Sequence, residues 1–256
     1  LYARRQRQMC IRDRNELIYL STLRRILSSL KSINNDESAI ITKKIAGYAD
    51  STPDSVAIYF EDKEITYREL INGANQYSHW FLDNGLQKGD VVALLMENRP
   101  EFLMAWIGIA QVGGTSALIN TNLTGHPLNH SLSISGARKL ILGKELISNF
   151  ETTDDTVKGS FQVWVEGDIN KQDYNNLGLT LENLSIVMPA IDYDVTNEDV
   201  ALYIYTSGTT GDPKAATITH RRLRLMLMGF ASAVVPKKTD RIYTVSYTHL
   251  RAHETR

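Results

Sequence analysis

The stretch that most limits what this chain can fold into is Asp90–Met96 (DVVALLM), an unbroken apolar run too short for a buried helix. A strand that is apolar at successive positions is covered on both faces, which is the situation of a parallel sheet sandwiched by helices. Its neighbours agree. Upstream, Val56–Phe60 and Ile65–Tyr67 read as strands, and Tyr67–Asp83 reads as a helix with Leu70, Ala74, Tyr77 and Phe81 along one side. Asn84-Gly85 stops that helix. Downstream, Pro100 opens a helix in the first turn, where proline is favoured, and Gly113-Gly114 ends it. A strand at Thr115–Ile119, a helix near 126–135, and strands at Lys139–Leu142 and Phe161–Val165 continue the alternation. This order predicts an α/β domain whose mixed, mostly parallel sheet is flanked by helices. Ligands in such folds bind beyond the carboxyl ends of the strands where the strand order reverses, so the loops after the strands are where chemistry is sought.

The two ends of the chain do not fit this pattern. Residues 1–14 hold five arginines and the single cysteine, Cys10, and residues 246–256 hold two arginines and two of the six histidines. Neither has an apolar period, and both resemble read-through of sequencing adaptors, so they are set apart as artefactual or disordered tails. The folding unit is then 15–245, read as a truncated N-terminal domain. Without the tails the chain keeps 21 basic and 27 acidic residues, a net charge of −6, which argues against a nucleic-acid partner. That body contains no cysteine, which removes thiol catalysis, thiolate metal sites and disulfides, and suits a cytoplasmic protein. His79, His126 and His130 lack metal-ligand spacing.

Two amphipathic segments remain. Residues 15–33 place Leu17, Leu20, Leu23, Leu27 and Leu30 at helical spacing, with Arg24, Arg25 and Lys31 off the stripe. Docking against the main domain is the expected role, and peripheral membrane contact is the alternative. Leu223–Val235, interrupted by Arg224, is too short to span a bilayer and reads as a buried amphipathic helix.

Chemistry concentrates at Ala201–His220 (ALYIYTSGTTGDPKAATITH). An apolar strand ends at Tyr205 and is followed by Thr206, Ser207, Gly208, Thr209, Thr210 and Gly211. Gly208 and Gly211 allow positive φ and close approach of the backbone to a ligand. Successive amides in such a turn form an anion-binding nest, the hydroxyls add short donors, and Lys214 adds a mobile positive charge. A polyphosphate needs all of these together. The common P-loop places its lysine directly after a glycine and before Ser or Thr, whereas here Lys214 follows Pro213 and precedes Ala215. This is not a Walker loop, which argues against an ordinary P-loop NTPase or kinase.

Tyr205–Lys214 (YTSGTTGDPK) resembles the AMP-binding signature of the adenylate-forming superfamily, which includes acyl-CoA synthetases, luciferases and peptide-synthetase adenylation domains. Glu97–Phe102 (ENRPEF) and Ala117–Leu123 (ALINTNL) resemble the fatty acid transport protein and very-long-chain acyl-CoA synthetase branch, while Thr66–Leu70 and Lys88–Val92 are similar to the superfamily at large. The resemblance covers about residues 15–245. It implies that Thr206, Ser207, Gly208, Thr209, Thr210, Gly211 and Lys214 bind the β and γ phosphates of ATP. It further implies ATP, Mg2+ and coenzyme A as cofactors and a fatty acid as substrate, with acyl-adenylate formed first and acyl-CoA second. By the same resemblance, the adenine, ribose, Mg2+ and lid residues and the C-terminal lid domain lie downstream, and the chain alone is expected to be inactive. Fatty acid uptake with secondary ligase activity, or activation of an aryl or amino acid, are the alternatives. His220 is expected to start a helix after the N-cap Thr219 in a structural role. Arg221, Arg222 and Arg224 are expected to face solvent, and truncation to leave Leu225, Met226 and Phe230 uncovered.

Overall fold

The computed structural model describes residues 19–28, 31, 40–168, 174–206, 214–237 and 239–243. After a helical stretch at residues 19–28, the elements run α1 (Ile41–Ser51), β1 (Val56–Phe60), β2 (Lys63–Thr66), α2 (Tyr67–Asp83), β3 (Val91–Leu95) and α3 (Pro100–Gln111). They continue with β4 (Thr115–Leu118), α4 (Gly125–Ile134), β5 (Lys139–Gly143), α5 (Ile147–Phe150), α6 (Asp155–Lys158), β6 (Gln162–Glu166), β7 (Asn175–Asn176) and α7 (Leu177–Leu181). The hairpin β8 (Val200–Thr206) and β9 (Lys214–Thr219) leads into α8 (His220–Val234).

Among the described residues, one seven-stranded sheet has the order β7-β6-β5-β3-β4-β8-β9, and β1 and β2 form a separate antiparallel ribbon. Every pairing in the large sheet is parallel except β8 with β9. The apolar run that anchored the sequence argument is its centre. Val92 and Leu94 of β3 join Tyr77, Trp80 and Phe81 of α2 and Ile109 of α3 on one face. Ala93 and Leu95 join Leu128 and Leu132 of α4 and Phe150 of α5 on the other. Alternate side chains thus enter two separate cores, which is why no polar position interrupts the strand.

Local chemistry fixes the helices that cover this sheet. Thr66 caps α2: its hydroxyl accepts from the Glu69 amide, while the Glu69 carboxylate accepts from the Thr66 amide at 2.7 Å. This capping box also pulls the Glu69 carboxyl below its ordinary range, chiefly through the Thr66 backbone bond. Pro100 occupies the first turn of α3. Gly108 lets α3 approach α2 closely, since a Cβ there would lie 2.7 Å from the Ala74 carbonyl oxygen.

Residues 182–199 form a strap that crosses back to β8. Asn75 Nδ2 donates to the Ile186 carbonyl at 2.7 Å, and the Tyr193 hydroxyl donates to the Val112 carbonyl at 2.9 Å. Lys88 Nζ lies 2.9 Å from Asp199 Oδ2 and donates to the Asp194 carbonyl at 2.8 Å.

Three expectations are corrected. The leucine stripe of the first helix does not dock: Leu20, Leu23 and Leu27 are 51%, 39% and 55% exposed, while Ser21, Thr22 and Ile26 on another side are half-buried. Leu17 and Leu30 lie outside the described residues. The helix over 223–235 is not buried either, since Leu223 packs on Ala201, Leu202 and Ile218 but Met226, Leu227, Phe230 and Val234 are exposed. Leu225 is exposed as well. The arginines of α8 are not turned only to solvent. Arg221 pairs with Glu198 at 2.6 Å, Arg222 Nη1 donates to the Thr217 carbonyl at 3.4 Å, and Arg224 Nη1 donates to Asn197 Oδ1 at 3.2 Å. Acceptors in the turn before β8 and in β9 draw them in.

Among the described residues, no helix is long and apolar enough to cross a membrane, and no group of three or more His, Cys, Asp or Glu side chains could hold a metal ion.

Candidate nucleotide-binding edge of the sheet

The chain leaves β3 for β4 on one side and then returns to β5 on the other, so the strand order reverses at β3. The carboxyl ends of β6, β5, β3, β4 and β8 line one edge of the sheet, ending near Glu166, Gly143, Leu95, Leu118 and Thr206. Crevices at such an edge are the usual ligand sites of open α/β sheets. The connection between β8 and β9 leaves from this same edge.

Of the residues predicted to hold phosphates, Thr206 ends β8 and Lys214 begins β9, and the two are register partners. Lys214 is exposed. Ser207, Gly208, Thr209, Thr210 and Gly211 lie outside the described residues. The structure therefore brings the first and last predicted residues together across a hairpin.

The stem of that hairpin is held from several directions. β4 pairs with β8 in parallel through Ser116↔Leu202, Ala117↔Tyr203 and Leu118↔Ile204. Thr115 Oγ1 donates to the Val200 carbonyl at 3.0 Å. At the base, the His220 amide donates to the Asp199 carbonyl at 3.0 Å and the Arg221 amide to the Asn197 carbonyl at 2.8 Å. The Asp199 carboxyl itself is held below its ordinary range; burial opposes this, but the Thr196 amide bond and Lys88 outweigh it. Thr219 caps α8 by accepting from the Arg222 amide at 3.2 Å, as expected. His220 is fully buried, and among the described residues neither ring nitrogen has a hydrogen-bond partner. Burial pushes its imidazole down to about 4, against a smaller upward pull from Asp199. A neutral imidazole sealed in the core suits the structural role read from the sequence.

A second polar group, not foreseen from the sequence, sits further along the same edge. The Tyr77 hydroxyl donates to Glu166 Oε2 at 2.7 Å. Arg99 Nη2 donates to the Glu166 carbonyl at 2.9 Å, and Arg99 Nη1 lies 3.5 Å from Glu145 Oε2. Burial pushes the Glu166 carboxyl above its ordinary range, opposed by Tyr77 and Arg99, and pushes the Tyr77 hydroxyl well up. Tyr77 was legible as a core residue of α2, and a buried tyrosine hydroxyl requires a partner. Which partner it takes depends on β6 and β3 ending beside each other's neighbour, which no local pattern states.

Fold and hairpin together define an α/β protein of the adenylate-forming kind. The chain belongs to the AMP-binding enzyme family, whose model matches residues 46–250, past the boundary at 245 drawn from the sequence. It is 31% identical over 228 residues to long-chain fatty acid transport protein 1 of Rattus norvegicus, covering 84% of this chain and 34% of that protein. It is 31% identical over 193 residues to the medium/long-chain-fatty-acid–CoA ligase FadD6 of Mycobacterium tuberculosis, covering 75% of this chain and 31% of that one. Among solved structures, the N-terminal domain of FACL13 from Mycobacterium tuberculosis, bound to an inhibitor, matches with a TM-score of 0.60 and 29% identity, over 71% of this chain and 44% of that one. The chain thus spans about a third of the length of the curated relatives it matches.

Proposed function

We propose that the protein carrying this chain joins a long-chain fatty acid to coenzyme A at the expense of ATP. The fatty acid carboxylate attacks the α-phosphate, forming acyl-adenylate and releasing pyrophosphate. The CoA thiol then attacks the acyl carbon, and AMP leaves. The observation that carries this reading is the hairpin: a glycine- and hydroxyl-rich connection, closed by Lys214, at the carboxyl edge of a parallel sheet beside the reversal of strand order. Thr206, Ser207, Gly208, Thr209, Thr210, Gly211 and Lys214 would hold the β and γ phosphates, where fixed donors neutralise the charge that develops on the departing pyrophosphate. Mg2+ is expected to arrive on the polyphosphate, and no described residue is assigned to it. Relatives named as long-chain fatty acid transport proteins and as a medium/long-chain-fatty-acid–CoA ligase support the choice of acid.

The test is pyrophosphate release by the full-length protein with a panel of carboxylates. Release driven by long-chain fatty acids, acyl-CoA formed on adding CoA, and loss of both in Lys214→Ala are expected. Release with aryl or amino acids alone would discard the fatty acid assignment and keep adenylation. A second reading, fatty acid handling at a membrane surface from the cytoplasmic side, has one specific observation in its favour. The outward leucines of the helix at residues 19–28 adjoin Arg24, an arrangement suited to an anionic lipid surface. Co-sedimentation with phosphatidylserine vesicles, absent with neutral ones, is the expected result for that reading.

A further inference from the structure

The polar group at the carboxyl ends of β3, β5 and β6 holds more negative charge than it can pair. Among the described residues, Arg99 is the only cation that faces Glu166. Its guanidinium is divided between two other carboxylates, with Nε 3.7 Å from Glu101 Oε2 and Nη1 3.5 Å from Glu145 Oε2. Towards Glu166 it offers Nη2 to the backbone carbonyl, at 2.9 Å. Among the described residues the Glu166 carboxylate is therefore left with a neutral donor, the Tyr77 hydroxyl at 2.7 Å, although the residue is only 7% exposed. A buried carboxylate without a cation of its own is costly when ionised and far less so when protonated.

The surroundings add repulsion. Tyr77 comes from α2, Glu101 from the start of α3, and Glu145 from the connection after β5, where its Oε1 accepts from the Glu97 amide at 3.0 Å. On the last side α7 (Leu177–Leu181) has no charged residue, and a Cβ at Gly178 would lie 3.6 Å from Glu166 Oε1. Lys144 lies against Gly167 instead, where a Cβ would meet its Cδ at 2.7 Å, and Asp168 is exposed. Burial, with the two like charges, raises the Glu166 carboxyl, and Tyr77 and Arg99 offset part of this.

We infer that these side chains are a proton-operated latch on the carboxyl edge of the sheet, closed with Glu166 protonated and loosened when it ionises beside Glu101 and Glu145. The ends of β3, β5 and β6 meet there, and Arg99, Glu145 and Glu166 are the residues that tie them together. The edge borders the reversal of strand order, so the latch sets how firmly one wall of that crevice is held. By linkage, a carboxyl raised in the folded state takes up its proton more readily with the edge closed than with it open. The closed edge therefore gains stability as the pH falls towards the ordinary 4.5 and loses it as the pH rises.

Hydrogen exchange of peptides spanning 91–99 and 162–168 in the full-length protein tests this, with wild type and Glu166→Gln compared at matched pH. Glutamine keeps an oxygen for the Tyr77 hydroxyl but never carries charge. Protection in Glu166→Gln should exceed wild type severalfold at about pH 8, and that gain should shrink as the pH is lowered. Arg99→Gln, which removes the cation, should move the wild-type pH transition upward, a shift that a purely structural loss would not produce. Lower protection in Glu166→Gln at every pH would overturn the latch by showing that Glu166 is a plain acceptor of the core. A gain that does not change with pH, or no change at all, would overturn it as well.

Discussion

Replacing His220 with glutamine isolates an acid-sensitive joint at the base of the β8–β9 hairpin. The imidazole is fully buried with both nitrogens unpartnered among the described residues, so protonation puts a poorly compensated charge into the core. Its proton affinity falls from the ordinary 6.5 to about 4, mainly through burial. The sign follows from linkage. Between those values the unfolded chain binds the proton and the folded one does not, so stability is complete above pH 6.5 and is lost as the pH falls towards 4. Each pH unit in that window is worth about 1.4 kcal/mol, which makes the whole interval about 3 kcal/mol and a drop from neutrality to pH 5 about 2 kcal/mol. Glutamine does not titrate. It costs some stability by leaving a buried amide, but that cost is the same at every pH. The assay is hydrogen exchange of peptides spanning Lys214–Val234 in the full-length protein, wild type against His220→Gln at matched pH, so that intrinsic exchange rates cancel. The ratio of wild-type to variant protection should fall roughly thirtyfold from pH 7 to pH 5. A ratio independent of pH would show that His220 is hydrated or paired in solution and would refute the reasoning.

The same structure fixes other outcomes. Tyr77→Phe leaves the Glu166 carboxylate without its hydroxyl donor in a buried setting, so a loss of about 1–3 kcal/mol in urea unfolding is expected. That loss should shrink on acidification as Glu166, already raised by burial, takes up its proton. Gly108→Ala drives a methyl to 2.7 Å from the Ala74 carbonyl oxygen and the Tyr77 Cβ. Forcing α2 and α3 apart should cost about 1–3 kcal/mol in a thermal melt. Thr66→Ala removes the hydroxyl that caps α2 and should cost about 1 kcal/mol, with Glu69→Gln costing less because its side chain still reaches the Thr66 amide.

The central sheet was legible because its signals are local. Six apolar residues in a row at Val91–Met96 require two covered faces, and the structure supplies one from α2 and α3 and the other from α4 and α5. Pro100 and Asn84-Gly85 mark helix ends through backbone restrictions that act within one or two residues. The start of α2 was equally readable: Thr66 followed three residues later by Glu69 is the pattern of a capping box. Strand β7 was not readable, because Asn175–Asn176 has no apolar residue and exists only as a partner to Trp164 and Val165.

The site divides along the same line. A glycine- and hydroxyl-rich connection ending in Pro213-Lys214 states its chemistry in consecutive residues, so the phosphate reading needs no fold. The neighbours of that connection are not stated locally, because β4 and β8 pair through Ser116 and Leu202, 86 residues apart in the sequence. The arginines of α8 are the converse case. In sequence, positive charge at the start of a helix opposes the dipole and suggests exposure, yet Glu198 and Asn197 lie across the base of the hairpin and take up Arg221 and Arg224. Those contacts clamp the end of the hairpin away from Lys214, so the charges that look out of place in α8 help to hold the strands whose other ends form the candidate phosphate site.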